Sequence, residues 1–216
     1  FEVVDGQLKL KDGVSLDHET AATVDLVVTV ADANGLTAST SLTVSVSDVN
    51  EAPTAPVLSG NAVAENNPGA VTGTVTSGDV DAGDTVELTV DDARFEIVDG
   101  VLKLRDGVSL DHEAARGITL VLTATDGAGL ATSRSIEVLV TDVAEAPAAP
   151  VLDNAGVAEN APGAVVGTIT VSDPDVGADP VVTVDDARFE VVEQDGALVL
   201  KLRDGISLDH EAAASL

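Results

Sequence analysis

Four residues, Leu-Asp-His-Glu, occur three times in this 216-residue chain, at positions 16–19, 110–113 and 208–211. The first two copies are 94 residues apart, and their surroundings recur with them: residues 1–21 and 95–115 are identical at 17 of 21 positions. Phe1, Phe95 and Phe189 keep the same step, as do Glu65 and Glu159, Asp32 and Asp126, Asp79 and Asp173, and Asp81 and Asp175. A fixed period sets the size of one folded unit and makes the chain a tandem array. It also requires each motif carboxylate to fill a role that every unit repeats. That suits a joint between neighbours better than the single active centre of an enzyme. The stretch from Phe189 to Asp209 is four residues longer than its counterparts, around Glu193 to Val199. Such an insertion is expected in a hairpin turn.

Within one period the pattern is all-β. Leu26, Val28 and Val30 alternate with other residues, as do Leu42, Val44 and Val46, and Ile118, Leu120, Leu122 and Ala124. Period two means one buried and one wet face. Asp5-Gly6, Asp12-Gly13, Asn34-Gly35, Asp99-Gly100 and Asp106-Gly107 mark turns between these runs. About seven short strands in about 94 residues predict a seven-stranded Greek-key β-sandwich of immunoglobulin-like architecture. Pro-rich stretches at 51–56 and 145–150 end strands and divide the units. The expected organisation is the C-terminal half of one repeat at 1–53, a complete repeat at 54–147, and the N-terminal part of a third at 148–216. With early strands absent from the first repeat and late ones from the third, head-to-tail strand complementation between copies is a further expectation.

Composition narrows the partners. There are 38 Asp plus Glu against 10 Lys plus Arg, a net charge of −28. The charge argues against nucleic acid as a partner, since phosphate contacts need clustered Lys and Arg, and against an anionic membrane surface for the same reason. Cations are the natural partners. Hydrophobic residues make up 44%, which argues against disorder. With three Phe and no Trp or Tyr, the cores must be Val, Leu, Ile and Ala. The absence of Cys excludes a disulfide scaffold. No apolar run approaches the ~20 residues of a membrane span. Phe1 in place of Met predicts a chain that starts inside a longer protein, with any targeting or anchoring signal elsewhere.

In an extended segment Asp17 and Glu19 share one face and His18 takes the other. Two hard oxygen donors on one side suit Ca²⁺, which takes six to eight oxygens in flexible geometry. His18, His112 and His210 have no Cys or second His nearby for zinc. Asp79 with Asp81, and Asp173 with Asp175, repeat the alternate spacing after a strand. Glu65, Glu159, Asp32 and Asp126 fall in the loops around them. Singly, each is an ordinary turn former.

Taken in order, these elements resemble the cadherin repeat in its bacterial, cadherin-like form. The family runs an early Glu, then DxD, LDxE, AxDxG and a closing DxNDNxP. This chain offers Glu65-Asn66, Asp79-Val80-Asp81, Leu110-Asp111-His112-Glu113, Ala124-Thr125-Asp126-Gly127, and 142–147. The resemblance covers the whole chain and implies cadherin-type sandwiches with Ca²⁺ between neighbouring repeats. It implies that Asp17, Glu19, Asp48, Asn50, Glu51, Asp79, Asp81 and Asp126 hold calcium at the first joint. At the second joint it implies Glu65, Asp111, Glu113, Asp142, Glu145, Asp173 and Asp175. Each joint has seven carboxylates, which the family's three Ca²⁺ would nearly neutralise. The linker Asp-Val-Asn-Glu-Ala-Pro is one residue shorter than the family's and lacks its second Asn, and Ala144 stands where the first linker has Asn50. Fewer than three ions are therefore expected, above all at the second joint.

The expected function is a calcium-rigidified rod in a bacterial cell-surface or secreted adhesin, with cell adhesion, homophilic or heterophilic, as its role. Its partners would be calcium ions, neighbouring repeats, and other adhesin molecules or a host or matrix surface. The alternative is a passive immunoglobulin-like stalk with no specific need for calcium. An enzyme is disfavoured, because the acids recur in every unit and no Gly-x-Ser-x-Gly elbow or phosphate loop is present.

Overall fold

The computed structural model describes residues 1–211, and all regular structure among them is β-strand. The chain divides into two compact units. One comprises Phe1–Leu110 with Gly117–Thr141; the other comprises Asp111–Arg116 with the chain from Asp142 on.

The first unit opens with two hairpins, β1 (Glu2–Val4) with β2 (Gln7–Lys9) and β3 (Thr23–Ala31) with β4 (Thr37–Ser45). A two-layer sandwich follows. It is built from β5 (Val57–Leu58), β6 (Ala62–Ala64), β7 (Val71–Thr76), β8 (Glu87–Val90), β9 (Phe95–Val98), β10 (Val101–Leu104), β11 (Gly117–Thr125) and β12 (Ala131–Thr141). One sheet runs β5-β7-β10-β9 and the other β6-β12-β11-β8. Only β6 lies parallel to its neighbour, β12. The first strand of the seven expected is thus split, with β5 on one sheet and β6 on the other. At the break Gly60 passes Gly73 closely: a Cβ built on Gly73 would stand 2.7 Å from the Gly60 nitrogen.

Period two has the consequence the sequence implied. Along β11, Ile118, Leu120, Leu122 and Ala124 are buried, and the residues between them face outward or are half-buried. Phe95, Leu102, Leu104, Leu120, Leu122 and Val138 have no exposed surface at all. Each buried side chain of this size stabilises the sandwich by about 1.5–3 kcal/mol. The core sits between the sheets, so the loops at the two ends are left to carry charge.

In the second unit β13 (Val151–Leu152), β14 (Val165–Thr170), β15 (Phe189–Gln194) and β16 (Ala197–Leu202) form one sheet, ordered β13-β14-β16-β15. This reproduces β5-β7-β10-β9 one period later. Its apolar face lines a cleft of about 660 Å³ that includes Leu152, Val166, Phe189 and Leu200.

The four extra residues of the third copy are not in the turn. The β15–β16 connection is still the two-residue Asp195-Gly196 turn with positive φ at both (53° and 78°), matching Asp99-Gly100 (50° and 76°). Instead, both strands grow from four residues to six. The reason is register. Two residues added to each strand keep every side chain on its own face, and the turn that matches the strand twist is retained. The cross-strand ion pair survives too: Lys201–Glu190 at 3.6 Å stands for Lys103–Glu96 at 3.1 Å.

Candidate metal centre

The Leu-Asp-His-Glu motif is not extended. Asp17 Oδ1 accepts the Thr20 N–H at 2.8 Å, and the Asp17 carbonyl accepts the Ala21 N–H at 3.0 Å. Asp111 does the same with Ala114 (2.8 Å) and Ala115 (3.0 Å). A short Asp side chain that reaches a backbone N–H three residues on closes a turn and outcompetes a strand ladder. Hence His18 does not point away from Glu19. Its Nδ1 lies 3.0 Å from Glu19 Oε1 and 3.7 Å from Asp48 Oδ1. Asp17 is occupied as the cap, and the Thr20 N–H holds its carboxyl below the usual carboxylate range.

Around this turn three chain segments converge. Carboxylate oxygens of Glu19, Glu51 and Asp81 lie within 4.8 Å of one another. The linker is tied to the sandwich by its backbone, through Glu51 N–H donating to Asp81 Oδ2 at 2.9 Å. Asn50 Nδ2 donates to Asp126 Oδ2 at 2.6 Å and to the Glu51 carbonyl at 3.1 Å. Asp126 is buried, and its Oδ1 accepts the Leu130 N–H at 2.8 Å. A further set, Asp79, Asp81 and Asp84, also brings one oxygen each within 4.8 Å, with Asp79 Oδ1 accepting the Asp81 N–H at 3.1 Å.

Like charge shapes the electrostatics. Partial desolvation, then Glu19, Asp81, Asp48 and Asp17, raise the Glu51 carboxyl above its ordinary value. Desolvation, then Asp79, Asp81, Asp126 and Asp48, raise Asp84. Asp126 is lowered instead, first by the Asn50 hydrogen bond and then by the N–H groups of Leu130, Gly129 and Ala128.

The second unit repeats parts of this arrangement. His112 Nδ1 lies 3.0 Å from Glu113 Oε1 and 3.7 Å from Asp142 Oδ2. Glu145 N–H donates to Asp175 Oδ2 at 2.8 Å, and Asp175 N–H to Asp173 Oδ1 at 3.0 Å. Asp111 serves as the turn cap, as Asp17 does. Glu65 belongs to the first unit, where it is 2% exposed and its backbone N–H bonds the Thr141 carbonyl. In the third copy Glu159, Asp209 and Glu211 bring their oxygens within 4.8 Å. There Glu159 Oε2 accepts the His210 N–H at 3.1 Å, and Asp209 Oδ1 accepts the Glu211 N–H at 2.9 Å.

Three aspartate oxygens stand out. Asp79 Oδ2, Asp81 Oδ1 and Asp175 Oδ1 are buried and accept no hydrogen bond. A buried anionic oxygen without a donor is costly unless a cation compensates it. All the converging donors apart from histidine are hard carboxylate or amide oxygens, the set that Ca²⁺ takes. The residues present therefore fit calcium. Asp84 is absent from the repeated motifs because the 94-residue step places Ala178 at its counterpart. A signal for it existed in the local spacing Asp-x-Asp-x-x-Asp.

The fold and these acidic ends define a class: tandem Greek-key sandwiches with carboxylates gathered at their loops. No family model and no curated protein matches the sequence. Solved structures do match. Protocadherin gamma B7 extracellular cadherin domains 1–4 align at 24% identity over 92% of this chain and 52% of that one, with a TM-score of 0.65. Protocadherin gamma B2 extracellular cadherin domains 3–6 align at 26% identity over 93% and 52%, with a TM-score of 0.61. Mouse cadherin-23 EC22–24 aligns at 19% identity over 90% and 68%, with a TM-score of 0.59. The chain spans about half the length of the first structures it matches (52%, 41% and 52%). Its fold is that of the cadherin ectodomain repeat.

Proposed function

We propose that the chain is a calcium-binding segment of a bacterial cell-surface or secreted adhesin, in which Ca²⁺ stiffens an array of cadherin-like repeats. The repeats would be divided at 1–53, 54–147 and 148–216. The observation that carries this reading is the pairing of buried, donor-less oxygens on Asp79, Asp81 and Asp175 with carboxylates delivered from separate segments. At the first joint Glu19, Asp48, Asn50, Glu51, Asp79, Asp81 and Asp126 would hold the ions, with Asp17 closing the turn that presents Glu19. At the second, Glu65, Glu113, Asp142, Glu145, Asp173 and Asp175 would do so, with Asp111 as the cap.

Bound calcium would supply positive charge where the folded chain concentrates negative charge. Without it, repulsion leaves each joint free to flex; with it, linker and neighbouring loops are held together. An affinity of about 10⁻⁴–10⁻³ M, the range of extracellular calcium modules, would suit a segment that works outside the cell. No helix among the described residues is long and apolar enough to cross a membrane. The cadherin likeness supports adhesion as the role, with other adhesin molecules or a host or matrix surface as partner.

A ligand that binds only the folded state stabilises it by about 2.7 kcal/mol at a hundred times its Kd. Thermal melting in chelator, millimolar Mg²⁺ and millimolar Ca²⁺ tests the reading. The expected result is a rise specific to Ca²⁺. Equal melting points in Ca²⁺ and Mg²⁺ would leave a passive stalk.

A further inference from the structure

The turn after β7 holds more carboxylate than the repeat pattern requires. Asp84 N–H donates to the Asp81 carbonyl at 3.2 Å, and Gly83, at φ 99°, folds the chain back. This brings one oxygen each of Asp79, Asp81 and Asp84 within 4.8 Å. Two residues of that set each also carry a buried oxygen without a donor, Asp79 Oδ2 and Asp81 Oδ1. Asp84 is thus held against two like charges, while no cationic side chain forms an ion pair with any of the three among the described residues. Its carboxyl is raised by desolvation and by Asp79 and Asp81, in keeping with that crowding.

The counterpart turn of the second unit has the same backbone. Ala178 N–H donates to the Asp175 carbonyl at 3.3 Å, and Gly177 sits at φ 86°. Asp175 Oδ1 is again buried without a donor. The difference lies in side chains: Ala178 replaces Asp84, and Ala144 replaces Asn50 in the preceding linker.

We propose that Asp84 is an additional calcium ligand at the Asp79–Asp81 turn, and that it makes this site tighter than the one at Asp173–Asp175. The inference rests on the calcium reading given above. Ligand charge count tunes calcium affinity across orders of magnitude, so the two joints would fill in sequence as calcium rises. One would be closed at concentrations that leave the other mobile.

Calorimetric titration of the 216-residue chain with Ca²⁺ alone tests this. The unmodified chain is expected to show a tighter and a weaker class of site. Asp84→Ala should weaken the tighter class about tenfold or more, the scale on which loss of one supporting group acts at metal sites. Asp84→Asn, which keeps the size and removes the charge, should weaken it in the same direction. Ala178→Asp should strengthen the weaker class, and circular dichroism checks that each variant is folded. If the unmodified chain binds Ca²⁺ while Asp84→Ala and Asp84→Asn titrate identically to it, or while Ala178→Asp brings no gain, the inference falls and the calcium reading stands. If the unmodified chain takes up no Ca²⁺, both fall.

Discussion

Replacing Asp81 by Asn should reverse its effect on stability according to whether calcium is present. Asp81 Oδ2 accepts the Glu51 N–H at 2.9 Å, and Asn keeps an acceptor there. Asp81 Oδ1 is buried without a donor, and Asn replaces that uncompensated anionic oxygen by a neutral amide NH2 able to donate to a neighbouring carboxylate. The substitution also removes a charge whose oxygen lies within 4.8 Å of those on Glu19 and Glu51. At that separation the repulsion between Asp81 and Glu19 is about 0.9 kcal/mol even at the dielectric constant of water. In chelator, Asp81→Asn should therefore leave stability unchanged or raise it by about 1 kcal/mol. In calcium at a hundred times Kd, the parent gains about 2.7 kcal/mol by linkage and the variant loses most of that gain. For a domain of this size 1 kcal/mol moves the midpoint by roughly 4–8 °C. The variant should thus melt level with the parent or a few degrees above it in chelator, and about 10 °C or more below it in calcium. Differential scanning calorimetry in both buffers reads this directly. A loss of equal size in both would mean that Asp81 acts only as a structural acceptor.

Two further expectations follow from the geometry. Glu51 and Asp84 have carboxyls raised above 4.5 and 3.8, so the stability they contribute is present below those values and lost as pH rises through the raised ones. Asp17 and Asp126 are depressed below 3.8, and Asp186, paired with Arg188, lies at about 2, so their contribution is lost as pH falls through those lower values. The calcium-free chain should melt highest at mildly acid pH and lower on both sides; a steady decline from neutrality would contradict the assignment. Gly73→Ala should destabilise the sandwich by about 1–3 kcal/mol, because the new Cβ would meet the Gly60 backbone at 2.7 Å. Gly127→Ala, with nothing within 4 Å, should be close to neutral, and denaturant melts compare the two.

The sandwich was legible in the sequence because burial follows period two. Ile118, Leu120, Leu122 and Ala124 alternate in the sequence and are buried in the structure. Two local features were not legible. The four extra residues near Asp195 lengthen β15 and β16, since strand parity and the Asp-Gly turn are both kept. The Leu-Asp-His-Glu motif closes a turn, since Asp17 satisfies a backbone N–H where alternation assumed a strand. That turn brings His18 onto Glu19 and Asp48. Sequence periodicity also concealed Asp84, because a residue present in one repeat and absent from the next carries no periodic signal.

Small-angle scattering of the 216-residue chain, in chelator and across a calcium titration, bears most directly on the claim that calcium stiffens the joints. The account expects a spread of inter-repeat arrangements without calcium and a narrower, more extended distribution once millimolar Ca²⁺ is present, with Mg²⁺ unable to substitute. Scattering curves that superimpose in chelator and in millimolar calcium would contradict it.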